Sequence, residues 1–293
     1  MNASSDNWLA GRRIAKMNGA GNEIVVLDLR RSDARVTAAD ARAIGATEGL
    51  HYDQLMVLHD AAGSDAAAAM KIFNIDGSLS GACGNGTRCV AWELMREADG
   101  RDLTLESDGG VLKVTREAEF VFTVDMGTPK AGWRDIPLAG DGADTKRVAL
   151  VPPVAGAPST FSAVSMGNPH AVFFVDDAMA VDLAKVGAAI ETHPLFPERV
   201  NVSFAQVRAR DSILLRVWER GAGATRACGT AACATAVAGA RLGLTDRKTL
   251  VSLPGGDLHI RWRDSDDHVL MTGPVELEFE TVLDPAIFAR EPA

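Results

Sequence analysis

Two segments of the chain have apolar patterns that predict central helices. From Thr230 to Ala240 the sequence reads TAACATAVAGA, without a charged residue or a polar face. Such a helix is buried on all sides, so we expect strands to surround it. The segment TRCVAWELMREADG (87–100) begins apolar, gains charge toward its end and stops at a glycine, as the first segment does near Gly243.

Segments with strand character accompany each of these helices. Apolar runs rich in β-branched and aromatic residues are typical of strands. They read IVVLDL, DQLMVL and AMKIF in the first half, and RVALV, AVFFV, VNVSFAQV and ILLRVW in the second. The pattern predicts two α/β units, each with a curved sheet wrapped about a central helix.

The two halves repeat one another at a fixed offset. Cys83 and Cys228 lie 145 positions apart (228 − 83), and the same offset aligns Met126 with Met271. It also aligns KIFNIDG with RVWERGA upstream of the cysteines, and TLESDGGVLKV with TLVSLPGGDLH downstream, without a gap. Each half therefore reads as a strand, a polar turn, a Cys-Gly loop, a helix and a hairpin, which indicates a duplicated unit.

The repeat predicts the fold class and the domains. We expect an α/β (α+β) protein of two pseudo-symmetric domains, each a curved, largely antiparallel sheet or barrel around a hydrophobic helix, with the active site in the cleft between them. The join falls near MGTPKAG, which gives an N-terminal domain of residues 1–128 and a C-terminal domain of residues 129–273. We expect the segment of about 274–293 to pack back onto the N-terminal domain.

Composition and charge exclude several kinds of partner. With 293 residues, 47% hydrophobic and 24% charged, the chain can form one large or two medium globular domains. Its formal net charge of −9 argues against binding nucleic acid or anionic membranes, which need a basic surface. The start of the chain lacks the apolar core of a signal peptide, and no apolar run reaches the ~18 residues of a membrane span. We therefore expect a cytoplasmic protein with a short N-terminal extension.

The four cysteines are not equivalent under the repeat. Only Cys83 and Cys228 pair with each other, whereas Cys89 would align with an alanine and Cys233 with an arginine. Both paired cysteines precede a predicted helix, where free backbone N–H groups and the helix dipole lower a thiol pKa. We interpret them as two acid/base groups. Cys89 and Cys233 are predicted to be small buried hydrophobic residues inside the helices.

Two thiols beside glycine-rich helix starts suit inversion at a carbon next to a carboxylate. The backbone N–H groups at Gly84-Asn85 and Gly229-Thr230 can bind that carboxylate. One base must remove the proton from one face while an acid returns a proton to the other. A racemase mechanism with one thiolate and one thiol follows from this arrangement.

Other interpretations of the cysteines and glycines have weaker support. The spacings C-x5-C and C-x4-C differ from the C-x2-C usual of structural zinc, and the C-x-x-C of thioredoxin-like proteins is absent. GAGN and GAGATR lack the third glycine of a dinucleotide-binding loop. A metal-binding or redox-responsive protein built on the four thiols remains an alternative of a different class.

Five blocks of the sequence resemble one enzyme family. KMNGAGNE, IFNIDGSLSGACGNGTRC, VSMGNPHAVFFV, FPERVNVSF and ERGAGATRACGTAACA are similar, in order and over nearly the whole chain, to the pyridoxal-independent diaminopimelate epimerases. The resemblance implies the two-domain fold above and conversion of LL-2,6-diaminopimelate to the meso form, a step toward lysine and the bacterial cell wall. It implies no cofactor, no metal and a homodimer.

The resemblance also assigns roles by position. Cys83 and Cys228 would be the catalytic acid/bases, and Gly84, Asn85, Gly229 and Thr230 would hold the reacting carboxylate. His170 and Glu219 would handle the reacting ammonium or tune the thiols, and Arg220 would pair with the distal carboxylate. The other residues that would bind substrate are Asn22, Gln54, Asn74, Asn168 and Asn201. The nearest alternative is another cofactor-independent racemase on the same scaffold, of the proline, hydroxyproline or histidine type.

Overall fold

The computed structural model describes residues 8–63, 65–96, 100–142 and 144–288. The first part of the predicted N-terminal extension, residues 1–7, lies outside the described residues, as do residues 97–99 of the segment predicted to end the first helix. The chain forms two compact units. Unit 1 runs to Val124 and resumes at Pro274, and unit 2 is the continuous segment Asp125–Gly273. The boundary predicted from the repeat, after residue 128, lies slightly further along the chain.

Unit 1 contains nine strands and two α-helices among its described residues. In chain order they are β1 (Arg13–Asn18), β2 (Glu23–Asp28), α1 (Ala38–Ala46), β3 (Gln54–His59), β4 (Ala68–Asn74), β5 (Leu79–Ser80), α2 (Gly84–Met95), β6 (Asp102–Ser107), β7 (Gly110–Ala118), β8 (Val121–Asp125) and β18 (Glu276–Val282). A short 3₁₀ helix, Pro285–Phe288, follows β18.

Unit 2 contains nine strands and two α-helices among its described residues. They are β9 (Val148–Ala149), β10 (Thr160–Ser165), β11 (Pro169–Phe174), α3 (Leu183–Glu191), β12 (Asn201–Ala209), β13 (Ser212–Glu219), β14 (Gly223–Thr225), α4 (Gly229–Arg241), β15 (Lys248–Leu253), β16 (Gly256–Trp262) and β17 (Val269–Pro274). A 3₁₀ helix, Trp133–Asp135, precedes them.

The two units have the same strand order. In unit 1 the hydrogen-bonded order is β18, β1, β2, β3, β4, β6, β7, β8, with β5 attached to β4. In unit 2 it is β9, β10, β11, β12, β13, β15, β16, β17, with β14 attached to β13. In each unit only two of these pairings are parallel, and an α-helix lies in the crossover of each parallel pair. The predicted fold class, with two pseudo-symmetric and largely antiparallel domains, is confirmed.

Each sheet curves around its central helix. Helix α2 packs against β1, β2, β3 and β7, and α4 packs against β10 to β13, β15 and β16. A flat sheet cannot bring strands from both ends of its order onto one helix, so each sheet must wrap. All but three of the thirteen residues of α4 are buried, as its uniformly apolar sequence predicts.

Strand β2 shows why these sheets have continuous apolar runs. Val25 and Leu27 belong to a core cluster that includes Ile44 of α1. Alternate side chains of a strand point to opposite faces, so the other face of β2 meets α2. A strand covered on both faces needs no polar alternation, which accounts for the sequence IVVL.

The repeat offset changes within the second helix, which corrects the gap-free match predicted from sequence. The hairpin after α2 turns between Ser107 and Gly110, and the equivalent hairpin after α4 turns between Leu253 and Gly256. The two turns lie 146 positions apart (256 − 110), because α4 has 13 residues and α2 has 12. The cysteines stand before this insertion, so their equivalence is unaffected.

Candidate active site

Cys83 is the N-cap residue of α2. Its backbone is extended (φ −149°, ψ 99°), and its Sγ accepts a hydrogen bond from the backbone N–H of Gly86 at 3.1 Å. Its carbonyl oxygen accepts from both the backbone N–H and the Oγ1 of Thr87, each at 2.8 Å. The half-buried sulfur therefore lies at the positive end of the helix dipole, where an anion is stabilised.

Asn22, which directly precedes β2, contacts both this sulfur and an acidic side chain. Its Oδ1 lies 3.7 Å from the Sγ of Cys83, and its Nδ2 donates to the Oδ2 of Asp53 at 3.0 Å. The backbone N–H of Glu23 donates to the same Asp53 oxygen at 2.8 Å. The structure thus brings one predicted binding residue into direct contact with one predicted catalytic residue, and an acid that the sequence did not indicate holds the other end of the Asn22 amide.

Gln54 and Asn74 are cross-strand neighbours at the same end of β3 and β4. The Nε2 of Gln54 donates to the Oδ1 of Asn74 at 3.4 Å, and the Nδ2 of Asn74 donates to the Oγ of Ser78 at 3.0 Å. Both amides are half-buried, and each still has donor or acceptor capacity for a ligand.

The first turn of α2 is held in place by buried contacts. Gly84 and Asn85 are buried, and the Oδ1 of Asn85 accepts from the Nη1 of the fully buried Arg88 at 3.0 Å. Gly19 approaches this turn so closely that an added Cβ would lie 3.0 Å from the carbonyl oxygen of Asn85. Glycine at this position lets the two backbones meet.

Cys228 is the N-cap residue of α4, as Cys83 is of α2, but its side chain makes no capping hydrogen bond and its surroundings differ. It is 6% exposed, and its Sγ lies 3.5 Å from the Oγ1 of Thr230. Burial raises the pKa of this thiol well above its usual value, and the nearby charge of Glu219 raises it further. The lowered pKa expected from the helix position is therefore wrong for Cys228, because desolvation and a like charge outweigh the helix dipole.

Glu219 ends β13 and lies beside Cys228. Its Oε1 accepts a 2.5 Å hydrogen bond from the Oγ1 of Thr225, and Thr225 lies on β14, which pairs with β13. The half-buried carboxylate is thus held in place while its charge acts on the sulfur.

His170 acts within a chain of polar contacts that leads to Cys228. Its Nε2 lies 2.9 Å from the Oδ1 of Asn168, and the Nδ2 of Asn168 donates to the Oγ1 of Thr230 at 3.3 Å. Complete burial lowers the pKa of His170 to about 3, and the charge of Arg220 contributes in the same direction. His170 is therefore a neutral imidazole at physiological pH, and its contact with the thiol runs through Asn168.

Asn201 and Arg220 form a second group of unit 2. The Nδ2 of Asn201 donates to the carbonyl of Pro169, and its Oδ1 accepts from the backbone N–H of Arg220, both at 3.0 Å. The exposed Arg220 guanidinium donates to the backbone carbonyl of Glu198 at 3.1 Å and retains further donors. Asn201 therefore positions the start of Arg220 and has limited capacity left for a ligand.

The strand registers make the two sets of side chains equivalent. Ile24 pairs with Gln54 in unit 1, as His170 pairs with Asn201 in unit 2. This register places Asn22 in correspondence with Asn168 and Gln54 with Asn201. Each unit therefore presents an asparagine, an amide on β3 or β12, a polar residue on β4 or β13 and an N-cap cysteine at the same end of its sheet.

The remaining cysteines and the acidic side chains offer no metal centre among the described residues. None of the four cysteines, all of which the structure describes, forms a disulfide, and Cys89 and Cys233 are fully buried, as predicted. Within the described ranges, no group of three or more His, Cys, Asp or Glu side chains is arranged to hold a metal ion.

Sequence reasoning missed Asp53, Arg88 and Thr225. Each contacts a residue of the candidate site through its side chain. In the sequence, a carboxylate before a strand and a threonine in a glycine-containing segment are typical of ordinary surface residues. For Arg88 a signal existed, because a charge in the apolar part of a buried helix requires a partner.

Comparison with known proteins agrees with this architecture. The family model described as diaminopimelate epimerase matches residues 14–131 and 162–278. A protein named diaminopimelate epimerase from Methylobacterium sp. (strain 4-46) is 57% identical over 288 residues, covering 96% of this chain and 98% of the relative. Another of that name, from Methylocella silvestris, is 54% identical over 285 residues, covering 97% and 98%.

Solved structures with lower identity share the fold. The structure of a predicted epimerase from Pseudomonas aeruginosa superposes with a TM-score of 0.67 at 18% identity, covering 93% of this chain and 99% of that one. A hydroxyproline epimerase from Agrobacterium vitis superposes with a TM-score of 0.63 at 16% identity, covering 96% and 95%. The family match extends over both units and includes both capping cysteines. The chain belongs to the diaminopimelate epimerase family.

Proposed function

We propose that this protein is an isomerase that interconverts LL-2,6-diaminopimelate and meso-diaminopimelate. The observation that carries the proposal is the pair of equivalent cysteines, each capping a buried helix at the same end of its sheet. The family supports diaminopimelate as the substrate, since relatives of that name match nearly the whole chain.

The first part of the mechanism is binding of the reacting carboxylate. The starts of α2 and α4 carry backbone N–H groups without partners within the helix. In the proposed complex, N–H groups at Gly84-Asn85 and Gly229-Thr230 donate to this carboxylate. These donors also stabilise the negative charge that the carboxylate gains when the neighbouring carbon loses its proton.

The second part is proton transfer between two sulfurs and one carbon. A thiolate removes the α-proton, and the electron pair of the broken C–H bond moves toward the carboxylate. The thiol on the opposite face then gives its proton to the carbon, which inverts it. Each sulfur finishes in the state in which the other began, so the two isomers are handled by the same pair.

The substrate itself changes the state of Cys228 in this scheme. An α-ammonium bound against Glu219 offsets the negative charge that helps to raise the pKa of the Cys228 thiol. Ionisation of that sulfur thereby becomes easier when substrate is present. His170 supports Asn168 and Thr230 rather than carrying a charge.

We assign recognition of the distal carboxylate of the substrate to Arg220. Its exposed guanidinium suits a bidentate contact with the distal carboxylate. Asn22, Gln54, Asn74 and Asn168 supply donors and acceptors without adding charge, whereas Asn201 serves mainly by positioning Arg220.

Replacement of each capping cysteine by serine tests the proposal. Serine keeps the shape, but its hydroxyl is a poor base, so Cys83→Ser and Cys228→Ser should each reduce epimerisation by roughly 10³-fold or more. Chiral analysis of the product, with solvent deuterium incorporation at the α-carbon, measures the reaction. Near-normal turnover in either variant would remove that cysteine from its role.

Substrate choice needs a separate experiment. The same chiral assay with proline, hydroxyproline and histidine discriminates the alternative racemases, because a diaminopimelate epimerase leaves them unchanged. Turnover of one of these together with no turnover of LL-diaminopimelate would overturn the assignment.

Oxidation tests whether the two thiols can serve one carbon. Two sulfurs that reach one carbon from opposite sides should form a disulfide when reductant is removed and dissolved oxygen is present to oxidise them. The activity lost in this way should be restored by dithiothreitol. Peptide mapping identifies the linked pair. Full activity of a sample in which mapping shows the pair oxidised would contradict the mechanism.

We also propose that the enzyme works in the cytoplasm as a homodimer. Its reaction serves lysine and peptidoglycan precursor synthesis and needs no cofactor or metal. No helix among the described residues is long and apolar enough to cross a membrane. Sedimentation analysis measures the oligomeric state. Activity should survive extensive dialysis against EDTA and treatment with hydroxylamine, which traps pyridoxal cofactors.

A further inference from the structure

Asp53 is tied to the start of β2 by three hydrogen bonds. Its Oδ2 accepts from the Nδ2 of Asn22 at 3.0 Å and from the backbone N–H of Glu23 at 2.8 Å. Its own backbone N–H donates to the carbonyl of Glu23 at 2.9 Å. The side chain of Asp53 therefore sits in a fixed place beside the amide of Asn22.

This contact decides which way the Asn22 amide faces. A carboxylate oxygen can only accept, so the NH2 group of Asn22 must point to Asp53. The amide oxygen then points the other way, and it lies 3.7 Å from the Sγ of Cys83. An amide oxygen also only accepts, so the hydrogen of this contact comes from the thiol of Cys83.

Two contacts with opposite effects thus meet at the Cys83 sulfur. The backbone N–H of Gly86 donates to Sγ and stabilises the thiolate, whereas the carbonyl of Asn22 accepts from the S–H and stabilises the thiol. A reversed Asn22 amide would present a second donor to the sulfur instead. The orientation of one amide therefore shifts the balance between the two states of Cys83.

The equivalent asparagine of unit 2, Asn168, has its amide in the opposite orientation. The Oδ1 of Asn168 contacts the Nε2 of His170, and its Nδ2 donates toward Thr230, beside Cys228. The position equivalent to Asp53 in the strand register is occupied by the buried Val200, which cannot accept a hydrogen bond from an amide. The orienting acid is a feature of unit 1.

We propose, resting on the proposed function, that Asp53 is a positioning residue that orients the Asn22 carbonyl onto Cys83 and so holds the proton on that sulfur. When Cys83 acts as the acid, its S–H bond breaks as the new C–H bond forms. The resulting thiolate keeps the hydrogen bond from Gly86. Asp53 does not touch the reacting atoms.

Alkylation of Cys83 measures this effect without turnover. In a Cys228→Ala background, iodoacetamide at pH 7 is allowed to react, and the modified Cys83 peptide is quantified by mass spectrometry. Cys83 in Asp53→Ala should alkylate about three- to tenfold faster, because the Asn22 carbonyl is no longer held toward the thiol and more thiolate forms. Asp53→Val, which copies the residue at the equivalent position of unit 2, provides a second variant with the same expected change.

A conservative variant and a double variant separate positioning from charge. The side-chain oxygen of Asp53→Asn can still accept from Asn22, so its alkylation rate should stay near that of the parent. Asn22→Ala should react faster than the parent, and Asn22→Ala with Asp53→Ala should react no faster than Asn22→Ala alone. In the enzyme with Cys228 intact, diaminopimelate turnover should fall about tenfold or more in Asp53→Ala and recover in Asp53→Asn.

Asp60 provides the matched control. It follows β3 at its other end, and its carboxylate accepts from the backbone N–H of Arg31 at 2.9 Å, much as Asp53 accepts from Glu23. Asp60→Ala should leave the alkylation rate of Cys83 unchanged. Unchanged alkylation in Asp53→Ala and Asp53→Val, additive effects in the double variant, or a fast Asp53→Asn would each overturn the proposal. Because this readout needs no substrate, it stands or fails separately from the assigned activity.

Discussion

At the scale of single residues, burial and one nearby charge control the ionisation of the Cys228 thiol. Burial raises the pKa of its thiol, and Glu219 adds to the effect because a negative charge disfavours a second one nearby. A thiol in this environment carries its proton at neutral pH. Its ionisation then depends on whether a cation lies against Glu219.

Glu219→Gln tests this dependence. The substitution keeps the size of the side chain and removes its charge, so the pKa of Cys228 should fall and the thiol should react at lower pH. In a Cys83→Ala background, the rate of modification by methyl methanethiosulfonate is followed against pH. Asp257→Asn, an equal charge change at an exposed position of the same unit, is the control and should not move the profile. An unchanged profile for Glu219→Gln would show that burial alone sets the state of Cys228.

The sequence predicts where the two equivalent cysteines lie better than it predicts the electrostatics around them. The repeat identifies Cys83 and Cys228 as an equivalent pair, and both cap the helices that the apolar pattern predicts. The sequence does not indicate how deeply each sulfur is buried, and that burial reverses the expected pKa shift of Cys228. Asn22 and Asp53 are 31 positions apart in the chain, so the local sequence pattern does not indicate the hydrogen bond between them.

At the scale of secondary-structure elements, the start of α2 depends on a close backbone approach. In Gly19→Ala the new Cβ would lie 3.0 Å from the carbonyl oxygen of Asn85, so the first turn of the helix must shift. We expect a loss of about 1–3 kcal/mol in the free energy of unfolding and about a tenfold loss in kcat/KM, because the carboxylate donors move with that turn. Chemical denaturation and steady-state kinetics measure the two effects.

Gly100→Ala is the matched control for this prediction. Gly100 belongs to the same unit, and an added Cβ there meets nothing within 4 Å. It should change neither stability beyond about 0.5 kcal/mol nor turnover. Equal behaviour of the two alanine variants would mean that the turn accommodates a side chain at Gly19.

The cysteine within α4 is predicted to be structural. Cys233 is fully buried in the middle of the helix. Cys233→Ala removes one buried sulfur and should cost about 1 kcal/mol of unfolding free energy while turnover stays within about twofold. A loss comparable to that of Cys228→Ser would contradict the structural role.

Two helices were absent from the elements predicted by sequence, for different reasons. Helix α3 buries Leu183, Val186, Gly187 and Ile190, which follow the helical spacing, so its pattern could have been recognised. Helix α1 buries only Ala41, Ile44 and Gly45, and so few apolar positions give no clear period. A short helix of this kind is stabilised mainly by its packing against the sheet and by its capping box at Thr37.

At the scale of the whole molecule, His170 links stability to pH. Its pKa is about 3 in the folded protein because burial disfavours the charged ring, whereas an exposed histidine has a pKa near 6.5. Between these values the unfolded chain binds the extra proton, so the free energy of unfolding must fall as the pH drops below about 6.5.

Comparing the pH dependence of two proteins isolates this contribution. From pH 7 to pH 5, His170 should account for a loss of about 2 kcal/mol in the wild type, at up to about 1.4 kcal/mol per pH unit. His170→Gln lacks the titrating ring and should show a shallower fall over the same interval, whatever its absolute stability. Urea denaturation at each pH provides the measurement, and parallel curves would refute the assignment.

The interrupted path of unit 1 has a consequence for biosynthesis. Strand β18 pairs with β1, although unit 2 separates them along the chain. On the ribosome, the nascent chain therefore carries every strand of unit 2 before the last strand of unit 1 has been translated. Until that final strand emerges, the edge of β1 that pairs with β18 stays unpaired. An unpaired strand edge can pair with another chain, so chaperone binding is most useful during this interval.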